Sequence, residues 1–467
     1  MQYRSMMSRT LMMSALAVAG LVLFAGRIDL AVGQEQKPAA VLFEGARLIT
    51  GDGSAPIEAS AFIVERGAIA RIGRKGEVPL PAGAARVNLD GKTVMPAIVG
   101  THVHPGFQKG LTYSADNFTR ANIAADLNRA LYFGVAVAMS QGIEKGDVMF
   151  QIRADQQAGK LGGARLLLAG RGIGAPNAGP GAPAYAGIAY EVTNEIEIRS
   201  AVQEQAARKV DAIKIWVDDR NGRAPRLAPA LFRAAIDEGH RLGLKVTAHV
   251  FYHRDAVDLA EAGVDSFAHL VRDREMDDAL IALMIKRNVY VMPNIGAPER
   301  AAHGEPPAWF DEPYLAAMLR DTVTPEVVQR MRRSFAGRDA ATIERNRRNY
   351  AILQRSVAKL AAAGARIILG SDTGLEDHFF GFAEQKELEL MVAAGMTPAQ
   401  VIVAATGRAA EFLGLKDTGS LAAGKNADFL VLDANPLDDI RNTRRIARIY
   451  LKGAEVDRAA LRATLTK

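Results

Sequence analysis

The sequence predicts an α/β protein, a (β/α)8 barrel with a small β-sandwich module assembled from both chain ends. Three observations predict it. The middle of the chain alternates buried apolar strands with amphipathic helical periods, the pattern of a parallel sheet covered by helices. Eight such strands can be counted, which favours a closed barrel, and the glycine-rich nucleotide fingerprint of an open doubly wound sheet is missing after the first of them. Both ends of the chain have a different texture, short strands punctuated by glycine turns.

In chain order, Arg4 and Arg9 precede an apolar run from Leu11 to Gly26 and a small-x-small site at Ala31-Val32-Gly33. This is the layout of a secretory signal peptide over residues 1–33. The run as a helix would rise about 24 Å, short of the roughly 30 Å of a hydrocarbon core. Export to a periplasm or the medium is therefore expected, with an uncleaved membrane tether as the alternative. Residues 34–95 and 415–467 form the composite β module: Val41 to Ile49, Ala61 to Glu65 and Ala68 to Ile72 read as strands at one end, and Ala427 to Leu432 and Ile446 to Leu451 at the other. Residues 96–414 are the barrel. Its strand candidates are Ala97–His102, Gly134–Met139, Ala164–Ala169, Ala212–Val217, Leu244–His249, Val264–His269, Val289–Pro293 and Arg366–Asp372. Helical periods such as Pro229 to Leu242 and Arg254 to Ala262 lie between them. The stretch at about 297–363 is long for one crossover and reads as a helical insertion.

Composition narrows the chemistry. A chain of 467 residues, 49% apolar and 24% charged, can bury a large core. The absence of cysteine excludes disulfides and thiolate metal sites, so ligands must be His, Asp, Glu or a modified Lys. The net charge of +6 comes from dispersed residues with no basic–aromatic stripe, so no nucleic-acid partner is expected. A small molecule or a dipeptide is the expected partner, with no membrane contact beyond the signal segment. A homo-oligomer is admitted.

There are eight histidines, and four stand at or just past the C-terminal end of a strand candidate, where barrel enzymes place their sites. His102 and His104 are two apart on a strand, so both rings face one side and can chelate one divalent ion. His249 ends one strand candidate and His269 the next. Asp372 ends the last; a carboxylate after an apolar run is costly unless it pairs or binds a cation, though an N-cap role is the plain alternative. Lys214 lies between isoleucines and must find a partner or lose its charge. A neutral amine there could take up carbon dioxide as a carbamate; a buried salt bridge to Asp218 or Asp372 is the alternative. Tyr252, His378 and Arg220 lie in loops at the barrel mouth and are candidates for substrate contact, Arg220 for a substrate carboxylate. His240 and His303 read as structural.

With these residues the sequence resembles the amidohydrolase superfamily, in its imidazolonepropionase-like and Xaa-Pro-dipeptidase-like branch. Met95-Pro-Ala-Ile-Val-Gly-Thr-His-Val-His resembles the first-strand motif and Ile213-Lys-Ile the fourth-strand lysine. Ala248-His and Ala268-His are similar to strands five and six, and Gly370-Ser-Asp-Thr to strand eight. Gly419-Ser-Leu-Ala-Ala-Gly-Lys-Asn-Ala-Asp resembles the return to the β module. The resemblance implies two divalent metal ions, zinc by their donors. His102, His104 and Asp372 would hold the more buried ion and His249 and His269 the more exposed one. An N6-carboxylated Lys214 and a hydroxide would bridge them, with Asp372 as the catalytic proton carrier. It implies hydrolysis of an amide or peptide-like C–N bond. A mononuclear deaminase or cyclic-amide hydrolase, with an ordinary Lys214, and a non-catalytic exported binding protein remain alternatives. The chain departs from the pattern at Ala97-Ile-Val-Gly100, where the family often has an acidic residue before the His pair. It departs again at Phe251, where a tyrosine is frequent.

Overall fold

The computed structural model describes residues 40–181, 183–220 and 222–465; the signal segment read at 1–33 lies outside them. The protein is α/β. Eight parallel strands carry the middle of the chain: β1 (Ile98–Val103), β2 (Val135–Ser140), β3 (Arg165–Leu168), β4 (Ile213–Trp216), β5 (Val246–His249), β6 (Ser266–Ala268), β7 (Tyr290–Met292) and β8 (Arg366–Ile367). Each falls within or beside a strand read from the apolar pattern. Nearly every residue in them is buried, as strands covered on both faces require.

Strands β1, β2 and β3 pair in parallel, and β4 to β8 pair in parallel in sequence order, with the two-residue strands Ile173–Gly174 and Tyr190–Glu191 at the β4 edge. Backbone hydrogen bonds link the sets. Asp211 N–H donates to the Leu168 carbonyl at 2.7 Å. At the other edge Thr101 N–H donates to Leu369 at 3.0 Å, Asp372 N–H to His102 at 3.1 Å and His104 N–H to Thr373 at 2.6 Å. The segment after β8 is thereby tied to β1.

Helices connect the strands and bury one face each. Pro229–Arg241, between β4 and β5, begins on a proline whose missing N–H would be unpaired there anyway. It ends on His240 and Arg241 beside its exposed carbonyls, and it buries Phe232, Ala235 and Ile236. Between β7 and β8 stand four helices, Gly296–Ala301, Pro313–Thr322, Pro325–Arg333 and Ala340–Ala362. Among the described residues no helix is long and apolar enough to cross a membrane.

The two ends of the described chain meet in one place. Phe429–Leu432 pairs antiparallel with Thr93–Pro96, the strand that leads into β1. A second sheet, ordered Ala68–Arg74, Ser60–Glu65, Ala40–Glu44 and Ala85–Asn88, shares its core. Phe43 stacks on Phe62 at 5.1 Å and meets Phe429 edge-on at 5.2 Å, and Phe429 stacks on Tyr450 at 4.6 Å. The strands Ala85–Asn88 and Thr93–Pro96 carry too short an alternation to stand out in the sequence.

Candidate metal centre

Side-chain alternation aims most of the site. His102 and His104 share a face of β1 and of its exit, two residues apart. On β5, Thr247 faces Ser266 of β6 across a 2.8 Å hydroxyl contact, and His249 stands two residues further on. His269 breaks the alternation: with Ser266 and Ala268 on one face of β6, the next residue should face away. Its backbone lies in the left-handed region, φ 74°, which turns the ring inward. Asp372 (φ 57°), Asn294 (φ 50°) and Arg220 (φ 53°) do the same just past β8, β7 and β4. Non-glycine residues hold this conformation at a cost, and they gather at functional sites.

The result is a buried cluster. His102 Nε2 lies 3.2 Å from His104 Nε2 and 3.3 Å from Asp372 Oδ1. His104 Nε2 is 2.9 Å from the same oxygen, and His269 Nε2 is 4.0 Å from Asp372 Oδ2. Ligand atoms of His102, His269 and Asp372 all fall within 4.8 Å of one another, a spacing that one metal ion can span. The His249 and His269 rings meet edge-on at 4.5 Å. Lys214 is 1% exposed, and its Nζ has no hydrogen-bond partner. Its stem packs on Gly142, where φ is +90° and a Cβ would fall 2.8 Å from Lys214 Cγ, so only glycine fits.

Burial sets the protonation states. It holds the His102, His249 and His269 rings well below the usual imidazole range, so they are neutral and their lone pairs are free for a cation. Burial brings the Lys214 amine down to about 7. For Asp372 burial acts upward, but the His102, His269 and His104 rings outweigh it and keep the carboxyl well below the usual range. Neutral imidazoles, an anionic carboxylate and an unpartnered amine of low basicity fit a divalent metal and a carbamate.

The other sequence candidates lie at differing distances from this cluster. Arg220 donates to the Gly179 carbonyl, and its Nε stands 3.9 Å from Asp218 Oδ1. Tyr252 donates to Asp219 Oδ1 at 2.7 Å, on the rim of the same loop. His378 is buried, and its Nε2 is bound to the Ser371 carbonyl at 3.0 Å, behind Asp372. His240 pairs with Asp265 and His303 with Glu299. Reading the sequence did not single out Asn294, whose Nδ2 lies 3.2 Å from His102 Nδ1 and whose Oδ1 accepts from His269 N–H at 3.1 Å. Its position two residues past β7 matches that of the other site residues and could have flagged it. Nor did it single out Arg272, three residues past His269, or Tyr185, whose ring lies 5.9 Å from that of His104.

A curated protein of Mycobacterium tuberculosis without an assigned function is 27% identical over 221 residues, 46% of this chain and 54% of that one. The chain thus spans about half the length of this relative. The ochratoxinase of Aspergillus niger is 24% identical over 453 residues, covering 89% of this chain and 85% of its own. A solved structure from Bifidobacterium longum, described as a prolidase, superposes with a TM-score of 0.71 at 25% identity, covering 92% of this chain and 99% of that one. These neighbours give the α/β fold a TIM-barrel-like character. The family model described as "Amidohydrolase family" matches residues 93–456, from the strand entering β1 to the far end of the closing sheet, and the chain belongs to that family.

Proposed function

We propose that the protein is an exported, binuclear metal-dependent amidohydrolase that cleaves an amide or peptide-like C–N bond next to a carboxylate, as in a dipeptide or an N-acyl amino acid. In this reading the eight strands close into a barrel over residues 96–414, and residues 34–95 and 415–467 form a β-sandwich. One observation carries it: Lys214 presents a buried amine of lowered basicity, without a hydrogen-bond partner, among neutral imidazoles and an anionic carboxylate. Such an amine is free to add carbon dioxide, losing a proton and becoming a two-oxygen anion able to bridge two ions.

His102, His104 and Asp372 would hold one ion and His249 and His269 the other, with carboxylated Lys214 between them. Bound zinc would supply Lewis acidity and an activated water at neutral pH. Asp372 accepts a proton at its carboxylate and returns it to the leaving nitrogen. Arg220, at the rim, meets the substrate carboxylate, with Tyr252 beside it. The names prolidase and ochratoxinase among similar proteins support an amide substrate. The M. tuberculosis relative adds no substrate.

A second reading, one ion and an ordinary lysine, is favoured by the compactness of the His102, His269 and Asp372 group. Metal per protomer in the mature chain, measured beside Lys214→Ala, decides between them. Two ions in the wild type, falling sharply in the variant, with a gain of about 44 Da on Lys214, support the binuclear reading. One ion in both proteins selects the mononuclear hydrolase or deaminase. No ion after zinc is supplied removes the metal reading altogether.

A further inference from the structure

We infer that Asp218 is an additional protein ligand of the ion held by His249, which gives this centre a carboxylate on the β4 side that does not depend on carboxylation of Lys214. The inference rests on the metal-centre reading above and adds a residue to it. Asp218 lies four residues after Lys214, at a bend just past β4. Asp218 is 3% exposed. Its Oδ2 accepts from Arg220 N–H at 3.3 Å, whereas its Oδ1 is buried and accepts no hydrogen bond, with the Arg220 guanidinium no nearer than an ion-pair distance of 3.9 Å. That oxygen is 3.4 Å from His249 Nε2.

The protonation of His249 sharpens the case. Arg272 lies with its terminal nitrogen 3.2 Å from His249 Nε2. A guanidinium has donors and no acceptor, so Nε2 must offer its lone pair. Asp218 Oδ1 therefore faces an unprotonated nitrogen, acceptor against acceptor, and Arg220 Nε at 3.9 Å is too far to donate to it, so a bound cation would complete the contact. Two ligand atoms about 2.0–2.1 Å from a tetrahedral zinc stand roughly 3.3–3.4 Å apart, the spacing seen here. His269, whose ring meets that of His249 at 4.5 Å, is the neighbouring imidazole on this side. A metal ion at Nε2 would require the Arg272 nitrogen to give up that contact, and the Val250 carbonyl, 3.4 Å from it, is the acceptor at hand.

The test is zinc titration against a chromophoric chelator in the wild type and in Asp218→Asn, which keeps the side-chain shape and an acceptor for Arg220. Cobalt loading followed by its visible absorption runs alongside. Loss of a direct ligand should weaken one ion by more than the roughly 10–100-fold typical of an outer partner and change the cobalt bands assigned to it. Unchanged affinity for every ion and an unchanged cobalt spectrum would overturn the proposal, however many ions the wild type holds. If the wild type binds a single ion, the binuclear reading falls, and Asp218 is judged by whether the variant weakens that ion. Should the variant not fold, anomalous diffraction from zinc-loaded wild-type crystals decides: a metal peak within coordination distance of Asp218 Oδ1 supports the assignment, and a peak at His249 out of its reach overturns it.

Discussion

The two halves of the site are built differently. On the β1 and β8 side, His102, His104 and Asp372 are drawn together at 2.9–3.3 Å, so that an Nε2–H on either ring can donate to the carboxylate. There His104 Nδ1 is left without a hydrogen-bond partner. On the other side, past β4 and β6, Lys214 Nζ, Asp218 Oδ1, Arg220 Nε and Arg272 Nε are all without one, and each belongs to a group that bears or can bear charge. Leaving a buried polar group unpaired costs about 1–3 kcal/mol, and more for a charged one. The first half, with one such atom, therefore has less to gain from a bound ion than the second, with several. The contrast suggests that metal-free protein keeps the first half ordered and that loading acts mainly on the second.

The largest effect should follow from breaking the first half. Asp372→Asn keeps the shape but removes the charge and the proton carrier, so kcat on any amide substrate should fall by about 10²–10⁴-fold. A fall of less than tenfold would move the proton carrier elsewhere.

Next comes Lys214→Met, aimed at the open half. In metal-free wild type the native amine titrates near 7, against an ordinary value of 10.5. Between those values the unfolded chain holds a proton on this lysine that the native state lacks, so stability rises with pH across that window. Below it both states are protonated, and the full penalty of the buried charge is present. The methionine variant should lose this slope, gain stability near neutral pH and bind less metal. Denaturant melts of chelator-treated protein at several pH values check it, and identical slopes would mean that Lys214 has a partner in solution.

Much of this arrangement was legible in the sequence, for a physical reason. Strands buried on both faces read as continuous apolar runs, so a polar residue that ends such a run stands out: His102, His249, His269 and Asp372 were all visible in this way. What the pattern hides is conformation and cross-strand reach. The turn of His269 toward the site depends on a left-handed backbone that the sequence does not announce. Asn294 reaches His102 from a strand 192 residues away in sequence, a pairing that no local spacing encodes. Asp218 could be seen as a salt-bridge partner for Lys214, but its free oxygen could not. His378 was legible as a residue of the loop after β8, but not its burial behind Asp372.

Asn294 offers a milder probe that touches both halves at once, through His102 Nδ1 and the His269 backbone. Asn294→Ala should lower metal affinity by roughly 10–100-fold, the range for a partner that orients a ligand. In the binuclear reading, equal weakening of both ions means that the halves are coupled through this residue, and weakening of the ion at His102 alone means that they load independently.

The smallest effect is expected at the rim. The Tyr252 phenol is committed to Asp219 at 2.7 Å, and the carboxylate next to it holds that hydroxyl above its ordinary pKa. Tyr252→Phe removes one hydrogen bond on a partly exposed loop, worth about 1 kcal/mol. If that bond only shapes the loop, KM should change less than tenfold and metal binding not at all. A KM rise beyond tenfold at unchanged metal content would mean that the phenol leaves Asp219 to meet the substrate. The open half of the site would then extend from the unpartnered β4 residues out to the rim, and Asp219, freed of its tyrosine, would be the next residue to replace.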